Sequence, residues 1–351
     1  MTLRGIGTAV PAFSASQEQA LEFITERFPM VDRTKQLYKK TLRNKSIEKR
    51  HFGLERLEGA MEQDLDRKNE RFQKEAVALS TRALQAALRN AGVAADEVDF
   101  LVITTCTGYL CPGLSAYILE SCGLRTNTRT ADLVGMGCGA AIPALEQAHN
   151  FLVANPGKTA AVVSTEICSA AMVSNDDIDI VISNTIFADG SAAVVLTSKE
   201  ELSTGASARI AGFSSLIVPE WRDTLRFRSE KGHLKNVLGK NVPQQSAVAM
   251  RKIADKLLLE AGLEKSQVAH WVLHAGGAKV LDAMEKELAL VPADLQASRI
   301  ILKNFGNMSS PTVLFVLAER MRSARPSIGD WGILGSFGAG FSAHGALLEW
   351  I

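Results

Sequence analysis

The sequence predicts an α/β protein built from two duplicated halves, and two observations carry that prediction. Ala87-Leu-Arg-Asn-Ala-Gly92-Val-Ala-Ala-Asp-Glu-Val98-Asp-Phe-Leu-Val-Ile103 lies over Leu257-Leu-Leu-Glu-Ala-Gly262-Leu-Glu-Lys-Ser-Gln-Val268-Ala-His-Trp-Val-Leu273 at one offset of 170 residues. The same offset carries the turn around Cys138 onto Gly306-Asn307-Met308-Ser309-Ser310, and Ala-Val-Val163-Ser onto Trp-Gly-Ile333-Leu. Agreement at three separate places implies two similar units with largely buried strands, residues 1–200 and 201–351. Their strand ends would face a shared pseudo-twofold axis.

The elements follow in order. Gln17 to Phe28 is an amphipathic stretch within residues 1–75, a region whose role the sequence leaves open. Lys39 to Arg50 reads as a helix and its exit, with six basic residues in twelve positions. A helix ends at Gly92, which suits a C-cap, and a buried-type strand begins at Val98. Asp132-Leu-Val-Gly-Met-Gly-Cys138-Gly-Ala-Ala-Ile then joins an apolar run to a helix-like one. In the second half a helix ends at Gly262, a strand runs to Leu273, and His274 follows it. A helix over Lys279 to Leu290, a polar turn over Asn304 to Pro311 and an apolar helix over Thr312 to Met321 come next.

Composition narrows the function. The chain has 351 residues and is 46% hydrophobic, enough for a sizeable core. Thirty-nine basic residues nearly cancel 38 acidic ones, so no global field draws it to nucleic acid or to a membrane surface. The five cysteines (106, 111, 122, 138 and 168) contain no C-x-x-C pair, which argues against a disulfide framework or a zinc site and suits a reducing cytoplasm. No stretch reaches the length needed to span a bilayer, so a soluble cytoplasmic protein is expected. Walker, dinucleotide and metal-ligand patterns are missing from the sequence, and no cofactor or metal is expected.

Three residues form a chemically sensible set. Glycines flanking Cys138 allow a sharp turn with the sulfur at its apex, and a helix start favours thiolate; a buried packing cysteine explains the same segment equally. His274 sits at a strand's C-terminal end, where open α/β sheets place functional groups, although a lone histidine is more often structural. Asn307 stands in a Gly-containing turn where a helix cap is the plain alternative. If the duplication brings them together, a charged His274 would stabilise the thiolate and Asn307 would donate to an oxyanion, which suits acyl transfer.

These residues resemble the chalcone and stilbene synthase family, the type III polyketide synthases of the thiolase-like condensing enzymes. The resemblance rests on Phe305-Gly-Asn307-Met-Ser-Ser, the Gly-Cys138 turn, His274-Ala-Gly-Gly, Phe187-Ala-Asp189-Gly190 and Gly335-Ser-Phe-Gly338-Ala-Gly340, in family order along the whole chain. It implies a thiolase-like fold layered α-β-α-β-α, with Cys138 taking an acyl group from coenzyme A. His274 and Asn307 would then decarboxylate malonyl-CoA and hold the enolate, in a homodimer whose partners are acyl-CoA and malonyl-CoA.

Further expectations follow from the resemblance. The backbone N–H of Cys138 is the expected oxyanion donor. Lys39, Lys40, Arg43 and Lys45 are expected at the coenzyme A phosphates, with a solvated helix face as the alternative. The substrate pocket is expected to involve Cys111, Met172, Phe187, Phe227, Ser309, Ser336, Phe337 and Gly338. Cys111 aligns near a Met that plant members extend into the partner's cavity. Met172 stands where the family has a gating Phe, and its flexibility suits a longer alkyl chain. A fatty acyl starter giving an alkylpyrone or alkylresorcinol is the resulting expectation. The alternatives are a single-condensation enzyme like ketoacyl synthase III and a non-catalytic acyl-CoA-binding subunit. The family's prolines in the His-Pro-Gly-Gly and Gly-Phe-Gly-Pro-Gly loops are alanines here (Ala275 and Ala339), which leaves cyclisation open.

Overall fold

The computed structural model describes residues 1–28, 30–199 and 207–351, so the expected boundary between residues 200 and 201 lies outside the described residues. The strands are β1 (Thr2–Ala9), β2 (Ser14–Ser16), β3 (Lys49–His51), β4 (Phe100–Thr105), β5 (Arg129–Val134), β6 (Thr159–Ile167) and β7 (Asp189–Thr197), then β8 (Ala208–Ile217), β9 (Leu225–Glu230), β10 (His233–Leu238), β11 (Val268–Leu273), β12 (Trp331–Gly338) and β13 (Ser342–Trp350). The helices are α1 (Gln17–Arg27), α2 (Asp32–Leu42), α3 (Leu65–Ala91), α4 (Leu114–Ser121), α5 (Ala141–Ala154) and α6 (Cys168–Ala171), followed by α7 (Ile178–Ile186), α8 (Val242–Ala261), α9 (Ala278–Glu287), α10 (Gln296–Phe305) and α11 (Thr312–Ser323).

Nine strands hydrogen-bond in the order β11-β12-β13-β8-β1-β7-β6-β4-β5. The duplication is visible in the pairing. In one half β4 and β6 are parallel while β6-β7 and β7-β1 are antiparallel; in the other β11 and β12 are parallel while β12-β13 and β13-β8 are antiparallel. The halves meet where Thr2 and Leu3 of β1 pair with Arg209 and Ala208 of β8. Both C-caps take the same left-handed conformation, with φ 64° at Gly92 and 65° at Gly262.

The offset is not kept throughout, contrary to the sequence expectation. Phe100 pairs with Ala160, yet its counterpart His270 pairs with Gly332 and not with Asp330, so the second half carries two more residues between its parallel strands.

Helices α5 and α11 lie between the two half-sheets. α5 packs on β4 and β6 from one side and on β12 and β13 from the other; α11 packs on β11 and β12 and also on β1 and β7. α3 covers the outer face of the first half and α8 that of the second, which completes the α-β-α-β-α layering. Layer position explains the sequence patterns. α3 buries Phe72, Ala76, Leu79, Ala83 and Ala87 along one stripe, whereas α11 is buried at every residue from Thr312 to Leu317. β6 and β7 are buried at every position because helices cover both faces. Among the described residues no helix is long and apolar enough to cross a membrane.

Candidate active site

The central helices bring the chemistry together, since each is entered through one of the turns singled out in the sequence. Cys138 lies in a 3-10 turn, Gly137–Gly139, that leads into α5. Gly137 has φ +62°, a conformation that strains any other residue. Asn307 precedes α11, and its turn is stitched to the first half by Ala188 N–H to Asn307 O (2.9 Å) and Asn307 N–H to Ile186 O (2.9 Å). His274 follows β11, its N–H bonded to Gly335 O at 2.8 Å.

Contacts link the three residues in a ring. Ser309 lines the same cavity as Cys138, its hydroxyl lies 3.6 Å from the Cys106 sulfur, and its N–H donates to Asn307 Oδ1 at 2.8 Å. Asn307 Nδ2 donates to Gly276 O at 3.1 Å, two residues beyond His274. The His274 ring packs edge-on against Phe337, with centroids 5.2 Å apart. The next residue, Gly338, closes the ring against the nucleophile turn, because a Cβ there would lie 2.3 Å from Met136 O and 2.5 Å from Gly139 N. Three segments distant in sequence thus converge, and Asn307 keeps one amide N–H uncommitted by this bond.

Burial sets the electrostatics. Desolvation pushes the Cys138 thiol up to about 12, with the nearby Ser309 opposing. It pushes His274 down to about 3, and neither ring nitrogen has a hydrogen-bond partner among the described residues. The sequence expectation of a charged His274 is therefore corrected: desolvation of the buried ring favours neutral imidazole. A neutral ring offers one N–H donor and one acceptor, so it can receive the thiol proton and donate to a substrate oxygen.

A cavity opens on Cys138. Met172, Val173, Ile180, Leu225, Phe227 and Leu234 form apolar walls, with Ser309 and Phe187 also on the lining. Cys138 stands on the lining of this apolar chamber, whereas His274 and Asn307 are buried and not on it.

Comparison with known proteins agrees. Residues 11–213 match the family model described as FAE1/Type III polyketide synthase-like protein, and residues 213–351 match that of the C-terminal domain of chalcone and stilbene synthases. The chain belongs to the type III polyketide synthase family. A 3,5-dihydroxyphenylacetyl-CoA synthase of Streptomyces toyocaensis is 31% identical over 99% of this chain and 89% of its own length. A 1,3,6,8-tetrahydroxynaphthalene synthase of Streptomyces peucetius subsp. caesius is 29% identical over 99% and 93%. An alpha-pyrone synthesis polyketide synthase-like protein of Mycobacterium tuberculosis is 29% identical over 99% and 90%. Among solved structures, PKS-I of the brown alga Ectocarpus siliculosus superimposes with a TM-score of 0.92 at 25% identity, covering 99% of this chain and 98% of that one. The tetrahydroxynaphthalene synthase of Streptomyces coelicolor gives 0.89 at 26% identity, over 100% and 99%. This type III polyketide synthase is accordingly a condensing acyltransferase of thiolase-like fold whose substrates are coenzyme A thioesters.

Several expected pocket residues stand elsewhere in the synthase. Ser336, Phe337 and Gly338 are buried behind the turn rather than on the cavity lining, with Ser336 Oγ donating to Gly139 O at 3.2 Å. They support Cys138 and His274 because β12 runs beneath both. Cys111 is exposed on the surface of this chain, away from its own cavity. Of the expected coenzyme A cations, Lys40 lines a wide groove with Arg33 and Arg228, whereas Lys39, Arg43 and Lys45 are not on its lining. Arg50, in the same basic run, is fully buried and bonds Gln17, Asn184 and Phe187, so it is structural.

Sequence reasoning missed Glu166. This buried carboxylate at the end of β6 accepts from Cys106 N (2.9 Å), Thr107 N (3.1 Å), Thr107 Oγ1 (2.8 Å) and Ser310 Oγ (2.7 Å), tying the second half's Asn307 turn to the first half. An acidic residue in an otherwise apolar and small-residue strand was the available signal. Asp189 has a related part, accepting from Gly53 N and Ser169 N and Oγ; burial raises it to about 6.

Proposed function

We propose that the enzyme loads a fatty acyl group from coenzyme A onto Cys138 and extends it with malonyl-CoA, giving an alkylpyrone or alkylresorcinol. Cys138 passes its proton to His274 as its sulfur attacks the thioester carbonyl, and coenzyme A leaves as the thiol. The backbone N–H of Cys138 stabilises the tetrahedral oxyanion. Malonyl-CoA then places its thioester oxygen toward the His274 N–H and the spare Asn307 N–H; carbon dioxide departs and the enolate is held by both donors. The enolate carbon attacks the acyl-Cys138 carbonyl, the C–S bond breaks, and the chain has grown by two carbons.

The observation that carries this reading is the apolar wall of Met172, Val173, Ile180, Leu225, Phe227 and Leu234 directly beside Cys138. Three relatives of nearly equal identity bear three different product names, so the starter is argued from the wall and not from them. Coenzyme A phosphates are taken at the groove lined by Arg33, Lys40 and Arg228. The working form is a homodimer, which the edge position of β5, with Val134 exposed beside the nucleophile turn, supports.

The test is release of labelled carbon dioxide from malonyl-CoA with a panel of acyl-CoA starters, wild type against Cys138→Ala, with mass analysis of products. Starter-dependent release and pyrone or resorcinol products are expected. A product one condensation long would mean a ketoacyl synthase III-like enzyme. Binding of acyl-CoA without release would leave a non-catalytic subunit.

A further inference from the structure

Behind the catalytic cavity lies a second one, walled mainly by Phe23, Ile24, Phe28, Phe52 and Leu54, with Tyr38 and Arg50 also on its lining. Met172, Val173 and Asn184 line both cavities, so this segment is the partition between them. Its backbone is held by side chains from other elements. The Lys68 ammonium of α3 donates to the Met172 carbonyl, Arg71 to Ser169 O at 2.9 Å, and Asn184 Nδ2 to Val173 O at 2.9 Å. Lys68 is only 4% exposed. Burial of a lysine is costly, and burial together with the Arg71 charge lowers it to about 8, with Glu62 opposing. The amine is retained where its bond fixes a wall residue of the reaction chamber.

We propose that Lys68 is a positioning residue that sets acyl chain length: its bond to the Met172 carbonyl fixes the partition, and a chain too long for the catalytic cavity enters the second cavity only when that partition yields. Met172 is unbranched and flexible, so release of its backbone lets the side chain swing clear without disturbing Cys138. The proposal rests on the reading that the substrates are acyl chains. It gives the helical segment 17–27 a function as the far wall of the chain-end chamber.

The test reads binding, so it does not depend on turnover. In a Cys138→Ala background, affinity is measured for saturated acyl-CoAs from hexanoyl- to palmitoyl-CoA. With Lys68 present, affinity should stop rising once the chain meets the partition. Lys68→Met should restore the rise, by up to about fourfold per added methylene, while hexanoyl-CoA binds as before; Lys68→Arg should keep the original profile. Adding Ile24→Trp, which fills the second cavity, should cancel the gain. Lys68→Gln supplies the same comparison if the methionine variant does not fold. Identical length profiles with and without Lys68, or a gain that survives Ile24→Trp, would overturn the proposal. Failure of the wild type to extend any starter would sink the proposed function, while the binding profile would still decide the role of Lys68.

Discussion

The His274 ring meets Phe337 edge to face, with planes 75° apart and centroids separated by 5.2 Å. Since neither ring nitrogen is hydrogen-bonded, packing is what orients the imidazole. Phe337→Ala should therefore cost about 3–5 kcal/mol of stability and lower malonyl-CoA decarboxylation about 100-fold through misplacement of His274. Phe337→Leu should retain most of both. Thermal melts and steady-state decarboxylation check this; equal losses in the two variants would count against an orienting role.

Asn307→Ala removes the amide proposed to donate toward the enolate. Decarboxylation should fall by about 10²–10³-fold, the usual loss of one oxyanion donor. Alkylation of Cys138 by iodoacetamide should continue, because Asn307 makes no bond to the thiol. Loss of both activities together would show that the turn had collapsed.

Glu166 satisfies five donors in a dry setting, the Thr105 hydroxyl at 3.2 Å among them, and Glu166→Ala strands them all. A loss of at least about 3 kcal/mol is expected, since each buried unsatisfied group costs 1–3. Denaturant unfolding measures it. Glu166→Gln should be milder because an amide oxygen still accepts, though its NH₂ faces donors.

Acid stability reports the protonation of His274. Its folded pKa is about 3 against 6.5 when exposed, so between those values the unfolded chain binds a proton that the folded chain does not. The stability linked to His274 is complete above about pH 6.5 and is lost as pH falls toward 3. Asp189, raised by burial to about 6, acts in the opposite direction between the ordinary aspartate value and 6, so the difference between wild type and His274→Gln is the quantity to read. Wild type should lose about 1.4 kcal/mol per pH unit more than the variant between pH 4 and 6. Parallel slopes would mean that folded His274 is charged.

Lys40 and Arg33 face the groove with Asp176, Asp177 and Asp179, while Lys235 is occupied by Asp177 and by Glu230 at 3.5 Å. Replacing both Arg33 and Lys40 with Ala should raise KM for malonyl-CoA roughly tenfold, since phosphate bonds to charged donors are each worth about 1.5–3 kcal/mol but are screened here. The value of kcat should hold, and an unchanged KM would place the phosphates elsewhere.

Much of this protein was legible in its sequence. Local signals are short-range physics: Gly92 and Gly262 end helices because glycine takes positive φ cheaply, and the turns at Cys138 and Asn307 stand at helix starts for similar reasons. Repetition of those signals at one offset determined two α/β halves and nominated Cys138, His274 and Asn307. Only the tertiary structure decided what surrounds them. That Gly338 abuts the nucleophile turn, that Glu166 binds the two halves, and that Lys68 reaches the Met172 carbonyl 104 residues away all depend on contacts between distant segments. The protonation of His274 was likewise undecided by residue type, because desolvation is a property of the packed interior and not of the chain.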